Sequence, residues 1–345
     1  MTGSGAENYD EINVLPDELL IYIFKYLPLE AILVCENVSQ RWQKLARDPL
    51  LWKHLPLVYS GKPGQSEVSA RNLEIISTHY EYISCLKLQY IYSYPMISSI
   101  LDKMANLVCL ELVMCRVAKG FENILERWPN LKKFSLKNSL QLQSVEDLLI
   151  RFDRFEHLKY LALSEFGLNA NNCNSLLHCK QLTHIFIEKI RDLPLEFVSE
   201  FIKSKQEILH TLHIYGGNGL DDNCVMMLSK CPHLTDLAII RCENLTDIGL
   251  IALVNLKKIE HLQIWNNNKF TEDKLLKTLS SPSLVTLKSL SLSRISNVSP
   301  VVVDVISESY KNLKFLAVYQ CARIINTDYE KQLKSKFRNI EVVLY

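Results

Sequence analysis

The stretch Cys231-Pro232-His233-Leu234-Thr235-Asp236-Leu237-Ala238-Ile239, followed by Cys242, Leu245-Thr246-Asp247 and Gly249-Leu250, decides the fold. Its apolar residues Leu234, Leu237 and Ile239 are spaced three and then two positions apart. The last two share one face of a short strand, because side chains alternate along a strand. The same spacing recurs on both sides of the stretch. Copies begin at Ile83, Leu107, Leu131, Leu158, Leu182, Leu209, Leu234, Ile259, Leu287 and Leu313, with one more at Ile340. Successive starts differ by 24, 24, 27, 24, 27, 25, 25, 28, 26 and 27 residues. A period this steady marks a chain of stacked units rather than a single folded core.

Between the copies the apolar period changes. Phe121, Ile124, Leu125 and Trp128 follow i, i+3, i+4, i+7 spacing, as do Val145, Leu148, Leu149 and Phe152. Ser299-Pro300 ahead of Val302, Val305 and Ile306 reads as a helix N-cap with proline in the first turn. Each unit is then strand, loop and helix. No unit buries its apolar face alone, so the units stack into a curved solenoid. The expected class is α/β, with short parallel strands on the concave face and helices on the convex face. The period lies in the leucine-rich-repeat window of about 20–29 residues. The quoted stretch resembles the cysteine-containing leucine-rich repeat, and Cys115 and Cys321 occupy the place of Cys242. The fourth and fifth copies depart from it, lacking both the cysteine and the Leu-Thr-Asp turn. These cysteines read as buried structural thiols. The solenoid is expected over residues 71–345, as about 10–11 repeats.

Residues 13–55 do not fit the repeat. Leu15-Pro16-Asp17-Glu18-Leu19-Leu20 starts a helix with proline and places acids in its first turn. Leu19, Leu20, Ile23, Phe24 and Leu27 form an apolar stripe that ends at Pro28. A second helical run carries Ile32, Leu33, Val34, Val38, Trp42 and Leu45, and Asp48-Pro49 and Leu51-Trp52 follow. So small and so apolar a unit is expected to share its surface with a partner. The segment resembles an F-box in Leu15-Pro16, Glu18-Leu19, Ile23-Phe24, Tyr26-Leu27-Pro28, Val38-Ser39-Gln40-Arg41-Trp42, Leu45-Ala46 and Leu51-Trp52. F-boxes dock on the Skp adaptor, which links them to a cullin and a RING subunit. The resemblance implies that Leu15, Pro16, Leu19, Ile23, Leu27, Val38 and Trp42 contact that adaptor, some of them doubling as core. A helical cap for the solenoid is the plainer alternative. Residues 1–12 are expected as a disordered tail and 56–70, with Ser60-Gly61-Lys62-Pro63-Gly64, as a linker; 67–80 read as the helix before the first strand. F-box then repeats is the order of the F-box/leucine-rich-repeat proteins. It implies a non-enzymatic substrate receptor of an SCF-type ubiquitin ligase that promotes degradation of a protein target; a ligase-independent scaffold or inhibitor is the alternative.

On the expected concave face, Phe186, Tyr215, Ile240 and Trp265 fall on four consecutive strands near one edge, with His184, His213 and His261 on the same face. Phe186, His213, Tyr215, Ile240, Trp265 and Tyr319 are the candidate target-binding residues, since exposed aromatic clusters anchor protein partners. The histidines come from separate strands at uneven intervals, so solvated or aromatic-packed rings are expected rather than a metal site. Lys133 and Lys137 are the obvious concave basic pair. Gly216-Gly217-Asn218-Gly219 reads as a tight strand-exit turn, with no Gly-Lys-Ser/Thr after it to cradle a phosphate.

Composition narrows the rest. The 345 residues are 48% hydrophobic, with 39 basic against 38 acidic side chains, so no basic footprint for nucleic acid is expected. Ten cysteines occur without a CxxC pair, which reads as free thiols in a reducing compartment rather than zinc ligands or disulfides. A polar start without an apolar h-region, and no long apolar run, lead us to expect neither signal peptide nor membrane span. Cytoplasm and/or nucleus is the expected location. No cofactor and no catalytic constellation is expected.

Overall fold

The computed structural model of the chain describes residues 11–343 except 54, 63–65, 142–148, 166–167, 191–192, 195, 217–218 and 338–340. Twelve described strands form one parallel sheet. They are Pro56–Ser60 (β1), Cys85–Gln89 (β2), Cys109–Val113 (β3), Lys133–Lys137 (β4), Tyr160–Ser164 (β5), His184–Glu188 (β6), Thr211–Tyr215 (β7), Asp236–Ile240 (β8), His261–Trp265 (β9), Ser289–Ser293 (β10), Phe315–Ala317 (β11) and Glu341–Val343 (β12). Each pairs only with its sequence neighbours, so spatial order equals chain order. The register has no slip across the array. Leu86, Leu110, Phe134, Leu161, Ile185, Leu212, Leu237, Leu262, Leu290 and Leu316 form one continuous row. All ten are buried. Burial of the apolar face fixes this register, because a one-residue slip would turn the row into solvent.

Helices return the chain from the end of each strand to the start of the next. They include Asp222–Leu228, Asp247–Ala252, Glu272–Leu279 and Pro300–Ser309. Successive helices are tied by carboxylates. The Asp222 carboxylate accepts from the Thr246 amide (2.8 Å), the Thr246 hydroxyl (2.6 Å) and the Gly249 amide (2.9 Å). The Asp247 carboxylate accepts from the Thr271 amide and hydroxyl in the same way, at 2.9 and 2.8 Å. The Leu-Thr-Asp turn is thus a chain of caps, in which the acid of one helix holds the N-cap of the next. Cys115, Cys242 and Cys321 lie fully buried behind the strand exits, and each thiol faces the backbone carbonyls of its own and the preceding unit.

The residue after the strand is left-handed in unit after unit: Tyr90, Met114, Asn138, Glu165, Lys189, Gly216, Arg241, Asn266 and Arg294 all have φ between 48° and 72°. Their amides continue the ladder to the next strand, as from Arg241 to the Trp265 carbonyl (2.9 Å) and from Arg294 to the Tyr319 carbonyl (2.8 Å). This conformation ends the strand and throws the side chain to the rim of the concave face.

The N-terminal unit is helical: Asp17–Phe24 (α1), Leu29–Cys35 (α2), Gln40–Ala46 (α3) and Pro49–Trp52 (α4). Helices α1 and α2 both pack on α3. The unit is joined to the solenoid through Ser66–His79 (α5). The Trp52 ring stacks on His79 at 4.8 Å, and its indole N–H donates to the Ala46 carbonyl (2.9 Å). His79 Nε2 meets Glu36 Oε1 at 2.7 Å, and the other Glu36 oxygen takes Arg47 at 3.1 Å. Glu36, His79 and Trp52 are all buried.

Several expectations need correction. Residues 56–70 are not a linker: Pro56–Ser60 is the first strand of the sheet, in register with Cys85–Gln89, and Leu57 and Tyr59 are buried. Proline is tolerated because it opens an edge strand. The solenoid therefore starts at residue 56 rather than 71. Of the tail, 1–10 lie outside the described residues, whereas Glu11–Val14 form a 3-10 turn. Positions 145 and 148 of the expected Val145–Phe152 helix are outside the described residues, and Phe152–Arg154 is a single 3-10 turn. Ile340 and the Gly217-Asn218 step also fall outside them.

Candidate protein-binding surfaces

Helix α1 has two apolar faces. Leu20 and Phe24 are buried, and Phe24 meets the Trp42 ring edge-on at 5.1 Å. Leu19, Tyr22, Ile23 and Tyr26, at i, i+3, i+4 and i+7, stay in solvent. Leu19 is 50%, Ile23 39% and Tyr26 73% exposed. Val14, Val34, Val38 and Leu50 add further exposed apolar surface on the same small unit. Single exposed apolar residues are ordinary, but this density on one helical module makes it a candidate contact surface. Of the residues expected to meet an adaptor, Pro16, Leu19, Ile23 and Val38 are exposed, while Leu15, Leu27 and Trp42 are half-buried against the module's own core. Arg41 secures the start of α1, donating to Asp17 Oδ1 at 2.7 and 2.8 Å and to the Leu15 carbonyl at 2.5 Å. Tyr22, absent from the expected residues, shares this exposed face, and its i+3 spacing from Leu19 is the signal that places it there.

The second surface is a groove of about 510 Å³ on the concave face. All six expected residues line it: Phe186, His213, Tyr215, Ile240, Trp265 and Tyr319. The register refines their placement. Tyr215, Ile240 and Trp265 form one row at the strand ends. Phe186, expected with them near one edge, pairs instead with His213, one step deeper into the sheet. The Phe186 and His213 rings meet edge-on at 4.5 Å, and Tyr160 packs beyond at 4.9 Å. His213 Nε2 lies 2.8 Å from Asp236 Oδ1, which fixes its ring. The Trp265 indole N–H donates to Ser291 Oγ (2.7 Å), yet the residue is 37% exposed.

Cations ring these aromatics. Lys137 sits over Phe186 (5.9 Å to the ring centre), Lys189 over Tyr215 (5.9 Å) and Arg294 over Tyr319 (5.7 Å). Arg241 reaches the same groove and has no acidic partner among the described residues. Among the described residues, Glu188 is the one carboxylate lining it. Arg241 and Arg294 went unnoticed in the sequence because they occupy the left-handed strand-exit position. Lys133, expected to pair with Lys137 as a basic patch, is instead bound by Glu111 and sits over Tyr160 at 4.9 Å. His184 stacks between Tyr160 and His210, as expected of an aromatic-packed ring, and His261 is half-buried on its strand.

The comparisons agree with this division. A family profile described as F-box-like matches residues 12–57. F-box protein dre-1 of Caenorhabditis elegans is 39% identical over 49 residues, which are 14% of this chain and 5% of the relative. F-box/LRR-repeat protein 12 of Homo sapiens is 40% identical over 50 residues, 14% of this chain and 15% of the relative. The likeness to these relatives is thus confined to a small part of either chain. The crystal structure of the yeast Rad7 and Elc1 complex holds a chain of similar fold, with a TM-score of 0.59 at 17% identity over 99% of this chain and 98% of that one. The chain thus carries an F-box-like module at 12–57, similar to a segment of F-box/LRR-repeat protein 12, ahead of a leucine-rich-repeat solenoid.

Proposed function

We propose that this protein is the substrate-recognition subunit of an SCF-type E3 ubiquitin ligase. The F-box-like module takes the Skp adaptor, and through it a cullin and a RING subunit. The concave groove takes the protein target, whose ubiquitination and degradation follow. The chain supplies no chemistry of its own in this reading; it supplies proximity, which converts an encounter between two proteins into an intramolecular step. The observation that carries the reading is the presence of two separate contact surfaces on one rigid body. An exposed apolar face on α1 and an aromatic, cation-rimmed groove on the sheet are held together by the buried Glu36–His79–Trp52 joint. The groove's lining suits an extended target segment that offers an apolar side chain to Tyr215 and Trp265 and a carboxylate to Arg241 and Arg294. Eight buried free thiols and two half-buried ones are in keeping with a cytoplasmic or nuclear location.

The test is affinity purification from cells in which cullin ligases are blocked, with partners identified by mass spectrometry. The intact chain is expected to bring down adaptor, cullin and a target. Tyr215→Ala/Trp265→Ala is expected to keep adaptor and cullin and lose the target; Leu19→Glu/Ile23→Glu is expected to do the reverse. Adaptor without cullin, or a target indifferent to the groove variant, contradicts the reading.

A further inference from the structure

The ten cysteines fall into two groups. Eight are buried, and burial pushes Cys173, Cys179 and Cys242 up to about 12 and Cys224 and Cys231 up to about 11. Cys85 and Cys109 are different: each is half-buried, each opens its strand, and both point from the concave face. They are register partners on the adjacent strands β2 and β3. Paired strands lie about 4.8 Å apart, inside the ~4.4–6.8 Å range over which a disulfide joins two Cα atoms. The Cβ atoms have to close by roughly 1 Å to reach bonding geometry.

We propose that Cys85 and Cys109 are a redox modification site, at which hydrogen peroxide converts the facing thiols into a reversible intramolecular disulfide.

The surroundings assign the two roles. The Cys109 hydrogen bond, ahead of Ser84 and the Lys133 ammonium and against burial, lowers the Cys85 thiol to about 6, which makes Cys85 the readier nucleophile of the pair. Cys109, held high by the same bond and by burial, keeps its proton. The Cys85 thiolate attacks one peroxide oxygen and the O–O bond breaks, leaving a Cys85 sulfenic acid and hydroxide, which takes the proton lost by Cys85 and becomes water. The Cys109 sulfur then attacks the sulfenic sulfur, the S–O bond breaks, and the departing hydroxide leaves as water with the Cys109 proton. Two thiols are oxidised by two electrons and one peroxide is reduced to two waters. The site lies where the helical module meets the sheet: Cys85 Sγ is 3.6 Å from the Lys53 carbonyl oxygen just beyond α4. The closure the bond requires makes it readily reducible, as suits a switch rather than a staple.

The experiment uses the full chain, reduced and then exposed to hydrogen peroxide, quenched with iodoacetamide in denaturant, and mapped as peptides by mass spectrometry. The expected product is a linked Cys85–Cys109 peptide pair, lighter by two hydrogens and cleaved by dithiothreitol, with the other eight cysteines alkylated. In Cys109→Ser, Cys85 is expected to be trapped by dimedone as the sulfenic acid; in Cys85→Ser, Cys109 is expected to stay fully alkylated. Full alkylation of both residues in the wild-type chain after peroxide overturns the proposal, as does oxidation of Cys115 or Cys242 at the same rate.

Discussion

His184 shows how much a single ring owes to its row. It stacks on His210 at 5.6 Å, and His210 stacks on His233 at 5.4 Å, with Tyr160 closing the other end. Burial first, then the neighbouring His210, holds the His184 imidazole below its ordinary pKa. A folded-state pKa depressed below the unfolded one means that the unfolded chain binds the proton more readily. Stability is therefore complete above the unfolded value and falls as the pH drops toward the folded one. Thermal melts between about pH 7 and pH 5 should show a decline in the wild-type chain that is smaller in His184→Phe, which keeps the stack and removes the titration. An identical decline in both contradicts this. At this scale the sequence was only partly legible. Phe186, His213 and Trp265 announced themselves as polar-face positions holding aromatic rings. Arg241 and Arg294 did not, because nothing in an isolated arginine signals a left-handed backbone that turns it into a groove.

At the scale of the element, the repeat was legible because burial enforces it. Every apolar position of the recurring spacing from Leu107 to Leu316 lies in the core, so sequence period and structural period coincide. Strand β1 escaped the pattern for a local reason: polar His54 stands where other copies begin with an apolar residue, and Pro56 and Ser60-Gly61 punctuate the stretch like a loop. The helix-to-helix carboxylate caps were likewise invisible, since they need a Thr and an Asp from different units to meet. They predict a specific sensitivity at Gly249. A Cβ there would lie 2.4 Å from Asp222 Oδ1 and 2.3 Å from Leu245 Cδ1. Gly249→Ala should destabilise the chain by about 1–3 kcal/mol, despite alanine's better helix propensity. Denaturant unfolding checks this, and an unchanged midpoint would show that the cap tolerates displacement.

For the whole molecule the question is what the joint between module and solenoid accomplishes. A partner on α1 and a partner in the groove have a fixed relation only if the two units move as one. Trp52 is the core of that joint, with 2% exposure and its ring against His79. Trp52→Ala should cost about 3–5 kcal/mol. Its unfolding should separate into a module transition and a solenoid transition, readable by calorimetry; one cooperative transition with unchanged midpoint would show that the joint carries little. The order of modules was plain from sequence, but their buried connection was not, because Glu36 and His79 are 43 residues apart and look like ordinary surface charges.

The central claim is that the exposed face of α1 binds the Skp adaptor, and calorimetric titration of the purified full chain with purified adaptor tests it most directly. Two hot-spot side chains covered by the adaptor contribute about 2 kcal/mol or more each, so Leu19→Glu/Ile23→Glu should weaken binding by at least about a thousandfold while leaving the melt unchanged. Tyr215→Ala/Trp265→Ala should bind the adaptor as the wild type does. If the wild-type chain does not bind the adaptor, or if the α1 variant binds it equally well, the account is wrong and the helical module is a cap on the solenoid.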